Sequence, residues 1–179
     1  MKWFRPHRDE GSQVVETAFA LPLLVVIAFG IIQFGMMLNR TQGVHAAARE
    51  AGRVASIEDT QLSSVQARAV SALPNWVDPN DLTMTVTRVV TYGDGSQNTH
   101  TWKYNPNSGN WSNGTASDIP CHDDLKPDHD DPPLAGEIVD NAVTVHLELL
   151  NPQDYGVQVP LFGTYSFSHP SLAAFHCEY

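Results

Sequence analysis

Basic side chains are scarce in this sequence: 10 Lys and Arg stand against 20 Asp and Glu in 179 residues, a formal net charge of −10. A chain so acidic lacks the basic face that neutralises phosphates, which excludes nucleic acid as a partner. Cysteine is nearly absent, with only Cys121 and Cys177, both in the distal half. Two cysteines cannot close a zinc site alone and there is no CxxC, so in an oxidising compartment they are expected to pair as a single staple. Catalytic signatures are missing too: there is no HExxH, no Gly-rich phosphate loop, no GxSxG and no EF-hand pattern. The 8 histidines are scattered without a repeated ligand spacing. With no nucleophile–base set and no cofactor motif, the expectation is a protein that is not an enzyme and needs no cofactor.

The next absence is local. From residue 17 to residue 39 there is no charged side chain, and the stretch is apolar on every side of a helical projection. An α-helix needs about 20 residues to cross a hydrocarbon core of ~30 Å, and this run exceeds that. A secretory signal peptide is the competing reading. Its apolar core is shorter and ends at a small-residue cleavage site, and Met37-Leu38-Asn39-Arg40 offers none. Pro22 lies inside the run, where it removes one backbone hydrogen bond. Ahead of Gly11, Lys2, Arg5 and Arg8 outnumber Asp9 and Glu10, so the part after it is more acidic than the whole. A mildly basic start, one membrane helix and an acidic body carrying both cysteines place the N-terminus in the cytoplasm and the body outside.

The residues at the mouth of that helix are more specific. Arg8-Asp9-Glu10-Gly11-Ser12-Gln13-Val14-Val15-Glu16 puts a glycine after a short charged leader and a glutamate five residues later. This resembles the type IV prepilin signal, in which a prepilin peptidase cuts after the glycine. By that match Gly11 precedes the cut, Ser12 becomes the mature N-terminus and Glu16 the fifth residue. The finer pattern of Glu16, Ala18, Leu21-Pro22, Gly30 and Phe34-Gly35, then Ala47-Ala48-Arg49-Glu50 with Arg53, is similar to the TadE-like minor pseudopilins of the tight-adherence (Flp) pilus system. The resemblance covers about the first third of the chain. It implies a single-pass protein of the bacterial inner membrane with a periplasmic C-terminal domain. It also implies the prepilin peptidase and other pilins and pseudopilins of the pilus machinery as partners, and a role in adhesion at the base, fibre or tip.

Beyond residue 40 the pattern becomes amphipathic. Val44, Ala48, Ala51, Ala55, Leu62, Val65 and Ala69 recur at helical spacing apart from one gap at Glu58-Asp59-Thr60, where Asp59 is expected to cap a second helix. Leu73-Pro74 ends the helical region. From Leu82 the period is two: Leu82, Met84, Val86 and Val90 alternate with threonines, and Val143, Val145, Leu147 and Leu149 repeat the pattern. Gly93-Asp94-Gly95 is a turn, residues 101–104 and 110–111 form a hairpin, and residues 164–168 supply a last strand. Helices first and antiparallel strands after define an α+β fold. The expected organisation is a leader over 1–11, a membrane helix over 12–39, an amphipathic region over 40–73 and a β-rich domain over 74–179.

Two stretches invite a binding reading. His122 to Asp131 holds five aspartates and two histidines, donors that calcium or a softer metal uses. Such a Pro-rich hydrophilic run reads instead as solvated surface, so no metal site is expected. Trp76, Trp102, Trp111 and Tyr104 suit either cross-strand packing or a sugar-contacting patch. The latter underlies the alternative to a pilus role, a membrane-anchored periplasmic binding module for carbohydrate or surface recognition.

Overall fold

The computed structural model describes residues 10–125, 127, 136–150, 157–159, 163–165 and 171–179. A single helix, α1 (Glu10–Ala55), opens the chain, and α2 (Leu62–Ala72) follows after a short turn. Next come strands β1 (Leu82–Tyr92), β2 (Gln97–Asn105), β3 (Asn110–Ser112), β4 (Ile138–Leu149), β5 (Val157–Val159), β6 (Gly163–Tyr165) and β7 (Ser171–His176). Five of them form one antiparallel sheet in the order β3-β2-β1-β4-β7, and β5 and β6 pair separately. The fold is α+β, with a long N-terminal apolar helix ahead of the sheet.

Alternation places the strands. On β1, Leu82, Met84, Val86 and Val90 are buried on the face that meets the helices, and across the ladder Met84 sits between Tyr104 and Leu147 while Val86 sits between Trp102 and Val145. The opposite face carries Thr85, Thr87 and Thr101 beside Thr144 and His146, polar and β-branched residues that suit a pleated face in contact with water. The β1–β2 turn closes as the sequence indicates: Gly95 takes φ 81°, and Asp94 Oδ1 accepts the Ser96 N–H at 2.8 Å.

The helices cover the inner face through small residues. Val44, Ala47, Ala48, Ala51 and Ala55 form one buried stripe on the last third of α1, joined by Leu62, Val65 and Ala69 of α2. Gly52 lies against β7 so closely that a Cβ there would stand 2.6 Å from the Phe175 ring and 3.3 Å from the Ala173 Cβ. Gly43 meets the Pro74 ring in the same way. Glu50 accepts from Arg68 Nη2 at 2.9 Å and from Arg68 Nε at 3.3 Å, linking α1 to α2 at an exposed position where such a pair contributes little.

Two expectations need correction. Asp59 does not cap α2: it adopts φ 57°, and its N–H donates to the Cys121 carbonyl. The N-cap is Gln61 without a side-chain bond, and the free N–H groups of Leu62 and Ser63 donate to the Asp118 and Ala116 carbonyls at 2.9 and 2.8 Å. A distant loop thus satisfies the donors that a local side chain usually takes. The final strand is β7 at 171–176, not residues 164–168. Of the latter, 164 and 165 belong to β6, and 166–168 lie outside the described residues.

Candidate functional site

Two features have surface that packing of the domain does not account for. The first is the membrane-length part of α1. Val14, Phe19, Leu24, Ile31 and Phe34 are each more than half exposed, and the most apolar window has a mean hydropathy of 2.4 with none of it buried. In water such a surface costs on the order of 25 cal/mol per Å². In a bilayer that cost vanishes, and the helix satisfies its own backbone apart from the bond that Pro22 cannot donate. The helix is long and apolar enough to cross a membrane.

At its start, Gly11 and Ser12 fall in the first turn of the α1 backbone, and Glu16 in the next turn is exposed. Residues 1–9 of the leader lie outside the described residues. The helix continues past Arg40-Thr41-Gln42 into the buried alanine stripe, so the motif Ala47-Ala48-Arg49-Glu50 acts within the domain. Its two alanines are core, and its glutamate reaches α2.

The second feature is an open concavity of about 330 Å³ between the sheet and the loop that follows β3. Arg88, His100 and Trp102 line it from β1 and β2, and Asp118 and His122 from the 113–122 loop. The loop is held at many points. Asp118 accepts the Trp102 indole N–H at 2.9 Å and the Thr115 hydroxyl at 2.8 Å, and these bonds, the hydroxyl's first, draw its carboxyl below the ordinary 3.8. Gly114 has no room for a Cβ, which would fall on Asp118 Oδ2 and the Trp102 ring. The Cys121 and Cys177 sulfurs lie at disulfide distance, with Cα atoms 5.6 Å apart. Arg88 stands over the Trp102 ring at 5.5 Å, and burial lowers its pKa.

The aromatic residues fall on the packing side, with Trp76 also against the core. Trp102 and Trp111 are buried, and Tyr104 packs on Trp111 with ring centroids 5.4 Å apart, so cross-strand packing accounts for them and they form no exposed patch. No cluster of three or more His, Cys, Asp or Glu suited to a metal occurs among the described residues, and residues 128–131 of the acidic run lie outside them. Sequence reasoning passed over Arg88, His100 and Asp118. One signal was present: position 88 falls in the inward register of β1, between Val86 and Val90, where a charge is unexpected.

The helix and sheet together define a class, an α+β protein whose N-terminal helix has the length and apolarity of a membrane span. Residues 11–53 match the family model described as TadE-like protein, so this segment is similar to that family. The match runs from the glycine at the helix mouth to the last turn of the buried stripe and stops short of the sheet. No curated protein and no solved structure matches the chain.

Proposed function

We propose that this chain is a minor pseudopilin-like subunit for assembly of a tight-adherence (Flp) pilus, and not an enzyme. It is anchored in the bacterial inner membrane by α1, with its N-terminus cytoplasmic and its sheet domain periplasmic. The prepilin peptidase and the other pilins and pseudopilins of the machinery are its partners. The observation that carries this reading is the coincidence of the TadE-like segment with one unbroken helix, exposed and apolar for its first two thirds and buried in the domain for its last.

In this reading a prepilin peptidase cuts between Gly11 and Ser12 at the cytoplasmic membrane face. A side chain at position 11 hinders approach of the backbone to the enzyme, so Gly11→Leu is expected to leave the leader attached. Cutting creates a cationic amino group on Ser12. A carboxylate at the membrane boundary is costly unless paired, and Glu16 pairs with such an amino group during assembly. Glu16→Ala is therefore expected to be cut normally but to fail to join the pilus complex. Intact mass and co-purification with the pilus machinery read both steps. A protein still beginning at Met1 in cells with functional pili would refute the proposal.

A further inference from the structure

Arg88 is the least explained charge in the domain. It projects from β1 on the helix-facing side, in register with His100 on β2 and Val143 on β4. Its Nε hydrogen is buried and finds no acceptor among the described residues, and no carboxylate pairs with the guanidinium there. Leaving a charged donor buried and unsatisfied costs more than leaving a neutral one, so the guanidinium of this half-buried side chain calls for an acceptor, a water or a guest. The concavity in front of it is open to solvent and framed by a loop that several independent bonds hold in place.

We propose that this concavity binds a carboxylate group, with Arg88 as its charged anchor. The guanidinium edge presents two N–H donors in a plane, which matches the two oxygens of a carboxylate. The Trp102 ring lies beneath the guanidinium, with its centroid 5.5 Å from the Arg88 Cζ. The Trp102 ring also touches His100, with centroids 4.4 Å apart. His100 Nε2 is engaged with the Asn113 carbonyl at 3.1 Å, so in the neutral ring that nitrogen carries the proton and the ring orients the wall of the site without donating into it. On the other wall, His122 Nδ1 is turned toward Asp124, 3.2 Å from its backbone N and 3.4 Å from its Oδ2.

Asp118 sets the charge of the ligand. Its oxygens accept from Trp102 and Thr115 and it makes no ion pair with Arg88, and its negative charge lies within the same lining. The nearby anion repels a doubly charged phosphate more than a singly charged carboxylate. The volume of about 330 Å³ accommodates a group the size of one residue. A carboxylate sugar and the C-terminus of a peptide share this chemistry.

The test uses the full chain in detergent micelles, labelled with ¹⁵N, and follows the arginine Nε–Hε resonances during titration. The Arg88 signal is assigned by its loss in Arg88→Lys. Glucuronate is titrated against glucose, and N-acetyl-glycylglycine against its C-terminal amide. A saturable shift of the Arg88 resonance by either carboxylate, absent with its neutral counterpart, supports the site, and the tighter of the two identifies the source. Arg88→Lys keeps the charge but loses the fork, and is expected to weaken binding about tenfold as read on the shifted backbone amides of the 113–122 loop. Arg68→Lys, at an exposed helix position, should leave binding unchanged. The proposal fails if neither carboxylate moves the Arg88 resonance, if sodium chloride moves it equally, or if inorganic phosphate binds as tightly. Because these readouts need no pilus, failure here leaves the assembly role standing, and failure of that role leaves this site standing.

Discussion

Asp118 does more for the domain than its half-buried position implies. One carboxylate joins the Trp102 indole to the 113–122 loop, and the same loop lends its carbonyls to the first N–H groups of α2. Its folded-state pKa is depressed, so its contribution is present above the ordinary value of 3.8 and disappears as pH falls through the folded value. The Trp102 indole N–H resonance is expected to hold its position at neutral pH and through mildly acidic conditions, and to move only below that ordinary value. In Asp118→Asn the acid-induced movement should vanish. A resonance that titrates near neutrality would show that Asp118 does not hold the indole.

At the level of elements, the contact between α1 and β7 depends on the missing side chain of Gly52. Gly52→Val forces the Phe175 ring and Ala173 aside and is expected to cost about 1–3 kcal/mol. Thermal unfolding of the micelle-bound chain, followed by near-UV circular dichroism, measures it. Gly30→Val makes the same chemical change where nothing lies within 4 Å and should leave the domain's transition unmoved. The alanine stripe of α1 and the long alternating strands β1 and β4 could be read directly from spacing, because period and burial coincide there. β7 could not. Ser171, Ala173 and Phe175 face inward, but two of the three are small because a helix approaches closely, and no periodicity in β7 itself announces that. The cap of α2 escaped for a related reason, since its acceptors come from a loop far along the chain. Arg88 was visible as a charge in an inward register, but His100, Asp118 and the loop around them become a site only through the pairing of β1 with β2 and the fold of the loop over it.

For the whole molecule, the Cys121–Cys177 link ties the C-terminal end to the same loop, across a sequence separation of 56. Around it Glu58 donates to Glu178, Glu178 to Ser56, and Asp59 to Cys121, so the α1–α2 turn, the loop and the chain end form one joint. Closing a loop of that length stabilises by about 4 kcal/mol in the chain-entropy model. Thiol labelling of the exported chain under non-reducing conditions should find no reactive cysteine. Cys121→Ser with Cys177→Ser is expected to lower the unfolding temperature of the domain while leaving α1 in the membrane. Two labelled thiols in the exported protein would contradict the pairing.

The unbroken course of α1 makes the phase of the helix a coordinate of the machine. At 46 residues it extends for about 70 Å, and no joint separates the part suited to lipid from the part gripped by the sheet. Whatever turns or lifts the lower end turns and lifts the domain by the same amount, as a shaft moves a rotor. One residue inserted next to Gln42 would swing the domain by about 100° and raise it by about 1.5 Å, whereas seven would return it to within about 20° of its original heading but about 10 Å higher. Assembly that depends on which side of the domain faces a neighbour should fail with the single insertion and recover with the sevenfold one. Assembly that depends on height should do the reverse.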